Sequence, residues 1–208
     1  LCEKVGGDVK DVAKGIGLDN RIGSKFLHPG PGYGGSCFPK DTSALARIGQ
    51  AAANPMRIVE TVIEVNEARK RRMAEKVLDA LGGSAAGKRV AVFGVTFKPE
   101  TDDMRAAPSL TIVPALIGAG ASVAVCDPHG RKEGEALLPG VAWIEDPYAA
   151  AGGADAVVVL TEWNMFRGLD PKRLQAAMKG DAVIDLRNIF NPENVAQAGL
   201  RYFGIGLG

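Results

Sequence analysis

A change of hydrophobic pattern after Gly87 constrains the fold of this chain more than any other feature. From there on, short runs rich in valine and isoleucine alternate with helical stretches. The runs are Arg89–Phe93, Ser122–Cys126, Val141–Ile144, Ala156–Leu160 and Ala182–Leu186, and the helical stretches lie near Ser109–Ile117, Pro147–Ala151, Pro171–Met178 and Pro192–Ala198. Such alternation is typical of a parallel sheet with helices on both faces. The sequence therefore predicts an α/β unit that ends with a further short strand near Tyr202.

The part before Gly87 has a helical pattern throughout. A first helical segment runs from Leu1 to about Ile16 with Asp8 as a candidate N-cap, and a helix from about Pro39 to Ala53 follows a loop. Asn54-Pro55 pairs a capping side chain with proline at the first helical position. The apolar spacing after it predicts a helix of about 27 residues, or roughly 40 Å. Such a helix is suited to connecting domains and to packing against a partner subunit.

Composition limits the classes of protein to consider. The 208 residues carry a net charge of +1, and 46% are hydrophobic and 24% charged, which is ordinary for a globular protein and unlike a nucleic-acid binder. The basic cluster Arg69–Arg72 is interpreted as a solvated or interface face of a helix. Cys2, Cys37 and Cys126 lack metal-ligand or disulfide spacing. With no signal segment and no long apolar run, the prediction is a cytoplasmic protein without a metal or a membrane span.

The segment Gly30–Asp41 is the richest in chemistry-bearing residues. Its glycines let backbone N–H groups approach a ligand, and Pro39 suits the first helical position. Cys37 would then lie just before a helix N-terminus, whose partial positive charge favours the thiolate. A lone cysteine is nevertheless more often a small buried residue. The spacing G-x-G-x-x-G also occurs here, but no buried strand precedes it, so it does not indicate a dinucleotide site.

Polar residues follow the predicted strands where ligands bind in open α/β sheets. They include Thr96, Phe97 and Lys98, then Asp127, then Thr161, Glu162 and Trp163, and finally Arg187 and Asn188. The first turn contains a single glycine, Gly94, and so lacks the dinucleotide fingerprint. The predicted sheet therefore does not indicate an NAD site.

Two long motifs resemble one family. The first joins Asp19–Leu27 to Gly30–Asp41, and the second runs through Val92–Pro99 and Thr101–Arg105. Both are similar to motifs of the UDP-glucose/GDP-mannose dehydrogenase family, in the same order, and the resemblance covers the whole chain but only the second half of the family's usual length. It implies that residues 1–86 are the remainder of a central helical, dimerising domain with the catalytic cysteine loop. Residues 87–208 would be a Rossmann-like domain that binds a UDP-sugar.

The resemblance implies an activity and a set of site residues. The activity is a two-step, NAD-dependent oxidation of UDP-glucose to UDP-glucuronate, in which Cys37 is the nucleophile and Asp41 orients or activates water. Contacts to NAD are implied for Cys37, Lys40 and Arg105. Substrate contacts are implied for Arg21, Phe26, His28, Pro29, Gly30, Pro31, Gly32, Tyr33, Gly34, Phe97, Lys98 and Arg187. Arg21 would reach the sugar from a neighbouring subunit, and Phe26 fits a core aromatic nearly as well.

The resemblance also implies partners. The chain begins at Leu1, and the family's N-terminal NAD-binding half is missing, so the chain alone is expected not to turn over; the long helix is expected to form a homodimer. Three alternatives stay open. The substrate could be GDP-mannose or a UDP-N-acetylhexosamine, or the fragment could be a non-catalytic binding and dimerisation module. A cysteine hydrolase is less well supported, because neither His28 nor His129 has a recognisable partnership with Cys37.

Overall fold

A computed structural model describes all 208 residues. The helices are α1 (Cys2–Val5), α2 (Val9–Gly17), α3 (Cys37–Ala51), α4 (Arg57–Ala80), α5 (Ser109–Gly118), α6 (Arg131–Leu137), α7 (Pro147–Ala151), α8 (Asn164–Arg167), α9 (Pro171–Ala177) and α10 (Pro192–Gln197). The strands are β1 (Arg89–Phe93), β2 (Ser122–Cys126), β3 (Ala142–Trp143), β4 (Ala156–Val159), β5 (Ala182–Asp185) and β6 (Arg201–Gly204).

The six strands form one parallel sheet in the order β3-β2-β1-β4-β5-β6. This is the doubly wound order of the Rossmann-like folds, in which the direction of winding reverses between the first and fourth strands. The predicted α/β class and the Rossmann-like sheet are therefore confirmed. Ligands bind such sheets at the carboxyl ends of the strands, beside the point of reversal.

Alternate residues of the central strands are buried in two separate hydrophobic cores, one on each face of the sheet. On one face, Val90 and Val92 of β1 belong to a cluster with Val77 of α4 and Ile112 of α5. On the other face, Ala91 and Phe93 belong to a cluster with residues of α7, α9 and α10. Burial on both sides explains why the strands are continuous apolar runs rather than alternating ones.

Helix α3, which contains Cys37, begins earlier than predicted. Helix α3 starts at Cys37 and not at Pro39, and Ser36 precedes it as the N-cap residue. Proline is tolerated there because the first four N–H groups of a helix have no partner within the helix. Cys37 is consequently the first helical residue. The expectation that Cys37 precedes the helix is wrong, and Cys37 and Asp41 both lie on α3 four residues apart.

The predicted helix boundaries before Gly87 need two further corrections. The segment from Leu1 to Ile16 is two helices, because Gly6 takes a left-handed φ of 71° and ends α1, after which Asp8 caps α2 by accepting from Lys10 N–H. Helix α4 begins at Arg57, after Asn54-Pro55. The Asn54 N–H instead donates to the Gly49 carbonyl, so Asn54 belongs to the turn that closes α3. The 24 residues of α4 span about 36 Å.

The two ends of the chain are held together. Val9 N–H donates to the Gly206 carbonyl, and the Glu3 carboxylate accepts from both Gly206 N–H at 2.7 Å and Lys76 Nζ at 2.9 Å. Partial burial alone would raise the pKa of Glu3, but these two donors outweigh it and lower the pKa. The segment before α2 is thereby tied to both α4 and the C-terminal loop. None of the helices is both long enough and apolar enough to cross a membrane.

Candidate functional site

Helix α4 holds the glycine loop, residues 28–35, in place. The Asn66 side-chain oxygen accepts from Tyr33 N–H at 2.8 Å, and its amide nitrogen donates to the Tyr33 carbonyl at 3.2 Å. Asn66 is buried, and these two bonds satisfy the Tyr33 backbone as a neighbouring strand would. The loop is therefore anchored at its middle although it has no regular secondary structure.

Glycine is required where the loop meets the segment after β1. A Cβ on Gly34 would lie 2.6 Å from the Ala106 carbonyl oxygen. Gly35 has a φ of 91°, and a Cβ there would lie 2.8 Å from the ring of Phe97. Gly35 N–H also donates to the Arg105 carbonyl at 2.7 Å. The two motifs that carry the family resemblance, far apart in sequence, are thus in direct backbone contact.

The Asp127 carboxylate organises the turn after β1. One oxygen accepts from the N–H groups of Val95 and Thr96, at 2.6 and 3.2 Å, and lies 3.3 Å from the indole nitrogen of Trp163. The other oxygen accepts from Gly130 N–H at 2.7 Å. Amide groups in such a turn form a concave anion site, which dinucleotide-binding proteins use for phosphate. Here the chain's own carboxylate fills it.

Arg187 lies at the carboxyl end of β5, where the sequence predicts a ligand contact. Its Nε donates to the Leu160 carbonyl at 2.9 Å, and Nη2 lies 3.3 Å from the Phe97 carbonyl. The Glu162 carboxylate is 2.9 Å from Nε. Burial lowers the pKa of Arg187, and Glu162 partly offsets that effect. The guanidinium is thus fixed by three groups, with Nη1 left without a hydrogen-bond partner.

These elements enclose an open cavity of about 560 Å³. Nine of its twelve lining residues are predicted substrate residues, namely Phe26, His28, Gly30, Gly32, Tyr33, Gly34, Phe97, Lys98 and Arg187. The other three are Asn66, Arg69 and Glu162. Phe26 is almost fully exposed, so its interpretation as a core aromatic is wrong. Among the remaining predicted residues of the loop, Pro31 is buried and Pro29 lines an adjoining cavity of about 330 Å³.

The predicted catalytic pair lies outside this cavity. Cys37 is exposed, and its sulfur is 3.6 Å from the hydroxyl oxygen of Ser36. Asp41 and Lys40 are also exposed, with 3.5 Å between the ammonium and the carboxylate. Arg105 pairs with Asp103, which raises the pKa of the arginine, and the Cys37 sulfur adds to the same effect. Cys37 and Arg105 therefore lie at one charged edge beside the glycine loop, and Lys40 follows Cys37 in the first turn of α3.

Arg21 is separate from the rest of the predicted site. Its guanidinium lies 2.6 Å from the carboxylate of Asp19 and is largely exposed. No hydrogen bond or ion pair joins it to a residue of the cavity. That Arg21 serves a neighbouring subunit stays a prediction.

Three site residues on α4 are missed by the sequence analysis or misread as solvated. Asn66 and Lys70 are buried, and Lys70 Nζ donates to Glu67 and to the Ala106 carbonyl. Arg69 is half-buried, and its Nε donates to the Gly30 carbonyl at 2.6 Å. Asn66 and Lys70 precede the core residues Met73 and Val77 at three- and four-residue spacing. The spacing that predicts α4 already places Asn66 on this packed face, though not at the site, and it could have placed Lys70 there as well.

Comparisons with known proteins agree with this geometry. The UDP-binding domain of the UDP-glucose/GDP-mannose dehydrogenase family matches residues 91–192, and the central domain of the same family matches residues 1–68. The chain is 55% identical to the UDP-glucose 6-dehydrogenase of Rhizobium meliloti over 206 residues, covering 99% of this chain and 47% of that protein. It is 43% identical to UDP-glucose 6-dehydrogenase TuaD of Bacillus subtilis, over 99% and 45% of the two chains.

Solved structures give the same result. A UDP-glucose dehydrogenase from Pyrobaculum islandicum superposes with a TM-score of 0.84 at 34% identity, covering 99% of this chain and 45% of that one. An NDP-N-acetyl-D-galactosaminuronic acid dehydrogenase from Methanosarcina mazei gives 0.86 at 30% identity, over 99% and 45%. The chain belongs to the UDP-glucose/GDP-mannose dehydrogenase family and spans about half the length of the relatives it matches.

Proposed function

We propose that this chain forms the nucleotide-sugar half of the active site of an NAD-dependent UDP-glucose 6-dehydrogenase and supplies its nucleophile, Cys37. The observation that carries the proposal is the cavity in which the glycine loop meets Phe97, Lys98 and Arg187. Its cations and its backbone groups suit a diphosphate joined to a sugar and a base. The similarity to UDP-glucose 6-dehydrogenases supports the choice of substrate.

Cys37 suits the second stage of the proposed oxidation, from aldehyde to carboxylate. Its sulfur is exposed at the first residue of α3, so a substrate carbonyl can reach it. Addition of the thiolate to the C6 aldehyde, with a proton taken up by the oxygen, forms a thiohemiacetal. Loss of a hydride and a proton leaves a thioester. Water then attacks the thioester carbon, the carboxylate forms and the thiolate leaves.

Asp41 is proposed to act on the attacking water. It lies one helical turn after Cys37 on α3, and residues four apart in a helix share one face. A carboxylate there can accept a proton from water as the thioester is hydrolysed. Lys40, 3.5 Å away, is positioned to balance its charge.

NAD fits the charged edge of this chain but not its sheet. The amides of Val95 and Thr96, which would cradle a phosphate in a dinucleotide site, already bind Asp127. Lys40 and Arg105 are instead proposed to touch NAD held by the other half of the parent protein. When bound, NAD takes up a hydride at each of the two oxidation stages. We accordingly propose that the chain alone produces no NADH.

The domain boundary and the assembly are also proposed. Residues 1–86 would be the end of the central domain and residues 87–208 the UDP-sugar domain, as the two family matches suggest. The outer face of α4 exposes Ile58, Val62 and Val65. We propose that this apolar face packs against a second copy of the protein.

Calorimetric titration of the 208-residue chain with UDP-glucose, GDP-mannose and UDP-N-acetylmannosamine tests the proposal. We expect the tightest binding for UDP-glucose. Replacement of Lys98 by glutamine should weaken it by about tenfold, because a charge-assisted hydrogen bond is lost. Lys132→Gln, which removes an exposed cation on α6, is the matched control. Preference for either other sugar would change the substrate within the family, and the absence of binding to all three would contradict the proposed site.

A further inference from the structure

We propose that Arg69 and Arg187 form a two-arginine clamp for the diphosphate of the bound nucleotide, with Gly30 between them. The inference rests on the proposed function and adds to it Arg69, which the sequence analysis assigns to a solvated or interface face. The two guanidinium groups come from different parts of the fold. One projects from the middle of α4, and the other follows β5.

Gly30 lies beside both arginines. Its carbonyl oxygen accepts a hydrogen bond from Arg69 Nε at 2.6 Å. A Cβ built on the same residue would lie 2.6 Å from Arg187 Nη1. Both guanidinium groups therefore border Gly30, and any side chain at this position would displace Arg187.

Both arginines have hydrogen-bond donors that no other group of the chain uses. Arg69 uses only Nε within the chain, so Nη1 and Nη2 have no hydrogen-bond partner. Arg187 uses Nε and Nη2, and Nη1 has none. A guanidinium has five N–H donors in a fixed planar arrangement that matches phosphate oxygens. Three nitrogens thus remain available on the two arginines that border Gly30.

The wall of the cavity carries an excess of positive charge. Arg69, Lys98 and Arg187 line the cavity, and Glu162 is the only carboxylate that does so. Glu162 is 2.9 Å from Arg187 Nε, whereas no carboxylate lies within ion-pair distance of Arg69. Burial without a paired anion lowers the pKa of Arg69, an effect that Arg72 adds to and Glu3 only partly opposes. A diphosphate diester, which is doubly negative, matches the remaining excess of positive charge.

The test compares ligands that share the base but differ in phosphate. We expect Arg69→Gln to weaken binding of UDP and UDP-glucose by about tenfold or more, and to leave uridine binding unchanged. Arg71→Gln removes an exposed cation two residues along the same helix and should leave all three affinities unchanged. Arg69→Lys keeps the charge but loses the planar arrangement, so only part of the affinity for UDP should return.

Several outcomes would overturn the clamp. One is UDP affinity within twofold of the unaltered chain in Arg69→Gln; another is an equal loss for uridine, which would indicate general damage to the loop. A loss confined to UDP-glucose would place Arg69 at the sugar. If Arg69→Gln does not fold, Arg69→Lys decides, and unchanged affinity for UDP contradicts the inference. Failure of the unaltered chain to bind UDP would overturn the proposed function and the clamp together, whereas binding that is insensitive to Arg69 would overturn the clamp alone.

Discussion

At the scale of single residues, the three cysteines differ in environment. Cys37 is exposed at the start of α3, Cys2 is partly buried, and Cys126 is buried at the end of β2. The Cys126 thiol donates to the Glu145 carbonyl at 3.2 Å. Burial raises its pKa to about 12, helped by the carboxylates of Asp127 and Asp146. The sequence shows that Cys126 lacks metal-ligand or disulfide spacing, but only the packing shows why its thiolate is suppressed.

This pKa predicts a loss of stability in alkali. In the unfolded chain Cys126 loses its proton near its ordinary pKa of 9.0, whereas in the folded chain it holds the proton to about 12. The contribution is fully present below about pH 9 and is lost as the pH rises, at up to ~1.4 kcal/mol per pH unit. Denaturant titrations between about pH 8 and pH 10.5 measure the slope. Cys126→Ala should give a shallower slope, and equal slopes in the two proteins would contradict the assignment.

Some site residues could be identified from the sequence and others could not. The glycine loop, Phe97, Lys98 and Arg187 follow from local motifs and from the rule that ligands bind at strand ends. Spacing can place Asn66 and Lys70 on the packed face of α4, but their contacts, and those of Arg69, require knowledge of what the helix packs against, because a polar residue on a helix is usually solvated. Their hydrogen-bond partners are 33 to 39 residues away in the sequence, and a local sequence pattern cannot predict contacts across such separations.

At the scale of elements, the glycine loop depends on α4. Asn66→Ala removes both hydrogen bonds to the Tyr33 backbone. We expect it to lower the free energy of unfolding by ~1–3 kcal/mol, since buried backbone groups lose their partners. Hydrogen exchange at Tyr33 N–H should quicken as well. Glu64→Ala, at an exposed position on the same helix, should do neither, and unchanged exchange at Tyr33 in Asn66→Ala would show that α4 does not hold the loop.

Element boundaries were predictable where the local chemistry is strong. The limits of β1, β2 and α7 agree to the residue, because Gly94 and Asp127 directly follow the two apolar runs and Asp146-Pro147 is a clear helix start. Helices α6 and α8, with seven and four residues, have too few turns to show a periodic pattern. The start of α4 was misplaced because Asn54 completes the preceding turn through its backbone.

At the scale of the whole molecule, the alternating pattern predicts a parallel sheet but not its strand order. The strand order depends on where each connection between strands crosses the sheet. That in turn depends on packing against α4 and α5 on one face and against α7 to α10 on the other. The N-terminal segment is likewise placed by contacts with the opposite end of the chain, such as Glu3 with Gly206. No local sequence pattern indicates either the strand order or the contact between the two ends of the chain.

The proposed dimer gives a prediction at this scale. Ile58 on the outer face of α4 is 82% exposed, and Val65, two turns later on the same face, is also exposed. The double variant Ile58→Glu, Val65→Glu should shift sedimentation from dimer to monomer, because charges in an apolar interface are costly. Glu64→Gln with Arg71→Gln, altered on exposed positions of the same helix, is the control. A dimer unaffected by the double glutamate variant would place the subunit contact elsewhere.

The carboxylate of Asp127 has a consequence for protein engineering. It occupies the hollow of the first turn and thereby fixes the backbone that leads to Phe97 and Lys98. A designer who wants to convert this sheet to a different nucleotide can vary an exposed cavity residue such as Lys98, but must keep this internal anion. Without it the amide groups of the turn would be free to bind a phosphate. A library of variants designed around the cavity would then select ligands that bind at the turn instead.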